Sequence, residues 1–174
     1  GSASVSIDLL GGPTVLFSGD LGRPSHPLLV PPRPASHCDY LVIESTYGDR
    51  EHEETDSPER LADLITRTHD RGGVTVIPAF AVDRTEVLLF HLRTLHDSGR
   101  LPDIPIFVDS PMALAALRIY RSAFEEFALD VRPELHDAGE LFDLPRLEEV
   151  NDAEDPRRCL PDRKSTRLNS SHSS

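Results

Sequence analysis

Between residues 40 and 126 a short apolar run is followed three times by a helix-start signal and a helix-spaced apolar pattern, and this alternation restricts the fold most. The first run, Tyr40-Leu41-Val42-Ile43, is of the continuous kind expected for a strand buried on both faces. Asp56-Ser57-Pro58-Glu59 then supplies a cap residue, a proline suited to the first helical turn and an acid near the helix N-terminus. Leu61, Leu64, Ile65 and Thr68 follow at helical spacing, and Gly72-Gly73 marks the helix end. Val74-Thr75-Val76-Ile77-Pro78 reads as a second buried strand, and Asp83 as the cap of a second helix carrying Val87, Leu88, Leu92 and Leu95. Residues 104–108 repeat the strand signal, and Asp109-Ser110-Pro111 repeats the cap-and-proline start ahead of Leu114, Leu117, Ile119, Tyr120 and Phe124. The alternation predicts an α/β fold with a mainly parallel sheet. Upstream, residues 4–10 alternate in polarity, Gly11-Gly12-Pro13 turns the chain, and residues 14–17 are apolar, which predicts a β-hairpin. A proline-rich loop, residues 24–34, leads from the hairpin to the first run.

With 174 residues and 38% hydrophobic content, the chain can form one domain, or parts of two that are interrupted at its ends. The net charge of -12 argues against a binder held to nucleic acid by a broad basic surface, because such binding needs lysines and arginines to displace counterions. An acidic enzyme can still act on a polyanion where metal ions and a few arginines meet the phosphates. Cys38 and Cys159 are far apart, with no ligand spacing around either, so no disulfide framework or zinc finger is expected and a reducing cytoplasm fits. No apolar run is long enough to span a membrane, and no signal peptide pattern opens the chain. From Asn151 the sequence turns polar and cannot build a core; residues from about 163 to 174 have the character of translated adapter sequence and are set aside as an expected artefact.

Four segments place polar residues directly after an apolar run, where open α/β sheets put their ligand sites. They are Ser18-Gly19-Asp20-Leu21-Gly22-Arg23, Glu44-Ser45-Thr46-Tyr47-Gly48-Asp49-Arg50, Pro78-Ala79-Phe80-Ala81-Val82-Asp83-Arg84-Thr85-Glu86 and Val108-Asp109-Ser110-Pro111-Met112-Ala113. Asp20, flanked by glycines, is either a turn aspartate bonding its own backbone or a carboxylate that a metal can approach closely. Glu44 ends an apolar strand and is either a capped edge residue or part of a site. Arg84 can meet a phosphate or form a structural salt bridge, and Ser110 can contact substrate or cap its helix.

In this order the four segments resemble the β-CASP branch of the metallo-β-lactamase superfamily, in which a β-CASP domain is inserted into the hydrolase fold. The resemblance runs from Gly1 to about residue 150. It implies the closing part of a partial metallo-β-lactamase αββα fold over residues 1–55, part of a β-CASP parallel-sheet α/β domain over 56–150, and a polar tail over 151–174. It also implies that Asp20 bridges two zinc ions, and that Glu44, in the first β-CASP motif, orients a histidine that protonates the leaving group. Glutamate rather than aspartate at position 44 is the choice of RNA-directed members. Relatives continue the third segment as Gly-Arg-Thr-Gln-Glu, whereas this chain reads Asp83-Arg84-Thr85-Glu86-Val87, keeping Arg84 and Thr85 as candidate substrate contacts beside Ser110.

The resemblance thus implies a zinc-dependent ribonuclease, endo- or exonucleolytic, with RNA as substrate and no membrane; self-association into a homo-oligomer is left open. The His-x-His-x-Asp-His signature that supplies most zinc ligands in the family does not occur in this sequence, and its closest histidines, His91 and His96, are expected on a helix surface. The chain is accordingly expected to be an internal piece of such an enzyme that binds zinc weakly and cleaves nothing alone. A catalytically silent scaffold of an RNA-processing complex and an unrelated α/β binding module are the competing readings.

Overall fold

The computed structural model describes residues 3–22, 25–34, 37–51, 58–126, 130–136 and 141–150. The hairpin forms as expected: β1 (Val5–Asp8) pairs antiparallel with β2 (Thr14–Phe17), and β2 pairs in parallel with β3 (Tyr40–Val42). Helices α1 (Pro58–Asp70), α2 (Arg84–Asp97) and α3 (Pro111–Glu126) follow, with β4 (Ile106–Val108) between the last two. Beyond them β5 (Leu147–Glu149) pairs in parallel with β4, in a stretch with no clear sequence pattern.

The helix boundaries follow the local chemistry. Pro58 and Pro111 both open helices, where a missing amide hydrogen costs nothing. The proposed Asp56-Ser57 cap of α1 lies outside the described residues. Helix α1 ends on Gly72 at φ 70°, with the amides of Gly72 and Gly73 closing onto the carbonyls of His69 and Thr68.

The core lies among the helices. Ile65 of α1, Leu89 and Leu92 of α2, Val108 of β4 and Ala113, Leu114 and Leu117 of α3 pack with Leu141, Phe142 and Leu144. Leu28 joins them from the proline-rich loop and is fully buried. The loop is stitched down by backbone bonds: Arg132 N–H donates to Leu28 O at 3.0 Å, and Val30 N–H to Asp130 O at 3.0 Å. Ile119, expected on the apolar face of α3, is exposed instead.

Among the described residues the parallel pairs fall in two separate sheets, β1–β3 before residue 55 and β4–β5 after it. Two expectations are corrected. Tyr40, Leu41 and Val42 are each exposed by half or more, not buried on both faces, because an apolar run buries itself only if a second layer covers it. Residues 74–78 form no strand among the described elements, and Val76 is 80% exposed; without a neighbouring strand to take its backbone hydrogen bonds, β-propensity alone builds no ladder.

Candidate active site

Parallel pairing of Phe17 with Val42 brings the ends of β2 and β3 to one edge, so Ser18 and Glu44 emerge side by side. Ser18 N–H donates to Val42 O at 2.9 Å, extending the ladder by one step. The buried Ser18 hydroxyl accepts from the Glu44 amide at 3.0 Å and donates to Gly19 O at 2.7 Å. Gly19 sits at φ 60°, a left-handed conformation that turns the chain toward Asp20 at little cost because glycine has no Cβ.

The Glu44 carboxylate is fixed at both oxygens: Oε1 accepts from Leu21 N–H at 3.2 Å and Oε2 from Thr46 N–H at 2.9 Å. Hydrogen bonds from the Thr46 side chain, the Thr46 amide and the Leu21 amide hold its pKa below the usual glutamate value, outweighing a smaller opposing effect of desolvation. The structure therefore brings the Asp20 and Glu44 motifs together, with Asp20 exposed on the loop next to the amide that Glu44 holds. Among the described residues no three His, Cys, Asp or Glu side chains gather to hold a metal ion. A zinc ion normally takes three or four protein ligands, so these residues by themselves do not fit a zinc centre.

The segment before α2 differs from its expected form. Asp83 makes no side-chain cap bond; it lies at φ 70° and ψ -53°, with Arg84 N–H donating to Val82 O at 2.9 Å. This is a γ-turn with positive φ, which for a residue other than glycine stores strain of about 1–3 kcal/mol. The same geometry explains why the resemblance expects glycine at this position. The Asp83 carboxylate turns sideways instead, accepting from His26 Nε2 at 2.9 Å and from the Tyr120 hydroxyl at 3.3 Å. His26, Asp83 and Tyr120 thus form a cluster that sequence reasoning missed, and the departure from glycine at position 83 was its one visible trace.

Thr85 is buried, its hydroxyl donating to Phe80 O at 2.9 Å, while Arg84 is exposed and its side chain has no hydrogen bond or ion pair among the described residues. Glu86 is 0% exposed, and neither carboxylate oxygen finds a hydrogen-bond partner among the described residues. Burial raises its pKa above the usual glutamate value. Tyr120 is likewise raised, first by burial and then by the charges of Asp83 and Glu86. Ser110 caps α3, its Oγ accepting from Ala113 N–H at 3.2 Å. His91, expected on the surface, is half-buried, and burial lowers its pKa.

Comparison with known proteins matches residues 85–173 to the Beta-Casp domain family. The match covers half of the chain and runs through the polar tail. A ribonuclease of Thermus thermophilus is 33% identical over 144 residues, covering 82% of this chain and 33% of its own length. An RNase J-like protein of Methanocaldococcus jannaschii is 32% identical over 126 residues, 70% of this chain and 30% of that protein. The cleavage and polyadenylation specificity factor 73 of Drosophila melanogaster is 31% identical over 125 residues, 70% of this chain and 18% of that protein. The chain thus spans a third or less of the length of these relatives. By the domain match and the relatives together, the chain belongs to the β-CASP family of the metallo-β-lactamase superfamily.

Proposed function

We propose that the protein acts in RNA cleavage, as part of a zinc-dependent hydrolase that breaks phosphodiester bonds. The observation that carries this reading is the two-sided hold on Glu44, which fixes an ionised carboxylate beside Asp20 at the edge where β2 and β3 end. Relatives named as ribonucleases support RNA as the substrate class.

In this reading Asp20 supplies one oxygen ligand to the metal, and the described residues supply no others, so no catalytic step is assigned through it. What these residues do is orient. Glu44, ionised at neutral pH, keeps the Asp20 loop in one position through Leu21 and presents a fixed negative charge to a histidine supplied from elsewhere. Arg84, exposed and without a partner among the described residues, meets a substrate phosphate through charge-assisted hydrogen bonds. The isolated chain is proposed to hold zinc weakly and to cleave nothing.

The test is cleavage of end-labelled RNA, with DNA of the same sequence as control, by the protein encoded by the complete gene. RNA cleavage that is abolished in Asp20→Ala and severely reduced in Glu44→Gln is expected. Cleavage unaffected by Asp20→Ala would overturn the metal role, and RNA left intact under zinc-replete conditions would overturn the enzyme reading in favour of a silent scaffold. Elemental analysis of the isolated chain adds a direct check: a tightly held zinc ion per chain would contradict the incomplete site.

A further inference from the structure

We propose that Asp83 is a positioning residue for Arg84: its carboxylate, gripped by His26 and Tyr120, holds the γ-turn that points Arg84 away from the protein toward a substrate phosphate. The phosphate in this statement rests on the RNA-directed reading above; the grip does not.

Two helices of the same molecule show that the turn is not needed to start a helix. At α3, Ser110 does what a cap residue ordinarily does, accepting the amide of Ala113. At α2, Asp83 gives up that bond and adopts a conformation that residues with a Cβ avoid. Strain of this kind persists only where surrounding contacts enforce it, and it concentrates at functional sites.

The enforcing contacts come from two distant parts of the chain. His26 Nδ1 accepts two backbone amides, Leu28 and Leu29, each at 3.1 Å. That nitrogen therefore carries no proton, so the neutral ring's proton sits on Nε2, which donates to Asp83 Oδ1 at 2.9 Å. The ring cannot drift, because Arg132 Nε donates to the His26 carbonyl at 2.6 Å and Leu28 is anchored in the core. Tyr120 adds its hydroxyl from α3 at 3.3 Å.

The turn has a directional result. Thr85 and Glu86 are buried, Thr85 is fastened to Phe80 O, and Arg84 between the turn and these buried residues faces solvent. Because His26 lies only six positions after Asp20, one short stretch of chain carries both the candidate metal ligand and the residue that sets the turn before Arg84. A cationic group at a fixed direction loses less freedom on meeting a phosphate than one on a mobile loop.

The experiment is a double-mutant cycle on binding of a short fluorescent oligouridylate by the full chain. Asp83→Gly tolerates the positive φ but removes the grip; it is expected to weaken binding about tenfold, close to the effect of Arg84→Ala. The double variant is expected to be no weaker than Arg84→Ala alone, and the salt dependence of binding is expected to lessen equally in all three. Asp83→Asn, which keeps the acceptor oxygen and tolerates positive φ, is expected to recover most of the affinity. Full additivity of the two single effects, or unchanged binding in Asp83→Gly, overturns the proposal. If the wild-type chain binds no oligouridylate, the RNA-directed reading falls, and the grip is then judged by hydrogen exchange of the Arg84 amide. Faster exchange in Asp83→Gly and Tyr120→Phe than in the wild type sustains the grip; equal exchange sinks it.

Discussion

Leu21 and Glu44 join two loops that are 23 residues apart in sequence: the Leu21 amide donates to Glu44 Oε1 at 3.2 Å. Glu44 returns the tie through its own amide, which donates to the Ser18 hydroxyl at 3.0 Å. Asp20 lies between the two anchored residues, Ser18 and Leu21. The backbone of so short a loop is held on both sides, which is the support that the proposed role of Asp20 as a metal ligand would require.

The hold on Glu44 predicts a pH dependence. Its hydrogen bonds favour the ionised form, so its folded pKa is depressed. Such a group stabilises the fold above its unfolded pKa, and the stabilisation is lost as pH falls through the folded pKa. Glu44→Gln is therefore expected to be less stable than the wild type at about pH 7 and to lose that deficit at about pH 3. Urea midpoints at the two values measure it, and a deficit of equal size at both would contradict the ionised hold.

Ser18→Ala tests the other side of the tie. Removing the hydroxyl leaves the half-buried Glu44 amide without its acceptor, with an expected cost of about 0.5–1.5 kcal/mol, that of one ordinary hydrogen bond. Because Ser18 N–H still bonds Val42 O, the β2–β3 pairing is expected to survive, visible as unchanged strand content by circular dichroism.

Glu86→Gln is expected to stabilise the protein. A buried carboxyl whose folded pKa is raised weakens folding as pH climbs from the unfolded pKa through the folded one, leaving a constant penalty above both. An amide removes that penalty, so a gain of about 1–3 kcal/mol at neutral pH is expected, shrinking as pH falls. Thermal denaturation across the range checks both the gain and its slope; a loss of stability would show that Glu86 is paired as an anion.

What could be read from the sequence was what local chemistry decides. Pro58, Pro111 and Ser110 mark helix starts because proline and a hydroxyl cap act within one turn, and the hairpin follows from alternation and a glycine turn. The Asp20 and Glu44 motifs could be found, but not the bonds that join them. The failures depend on partners. Among the described residues, 74–78 have strand composition but no neighbouring strand, and β3 has apolar side chains but no layer over them. His26 reaches Asp83 across 57 residues, a distance that no periodicity encodes. Asp83 looked like a cap because aspartate usually is one, and only its positive φ, invisible in sequence, redirects its side chain.

The proline-rich loop is the part whose role changes most, and Leu28 tests it. Apolar side chains on loops are usually exposed, but Leu28 is 0% exposed within the helical core, beside Leu89, Leu114 and Leu117. Leu28→Ala is expected to cost about 2–5 kcal/mol, the range for a truncated core leucine, measured by urea denaturation. The loss has a local consequence too. The Leu28 amide is one of the two donors that fix the His26 ring, so the variant is expected to speed hydrogen exchange at Arg84 as well as at Leu28. Leu28→Met, which keeps the volume, is expected to cost less than about 1.5 kcal/mol and leave Arg84 exchange unchanged. A Leu28→Ala cost below about 1 kcal/mol would mean that the loop is only laid on the helices, and His26 would then lack the anchor that lets it hold Asp83.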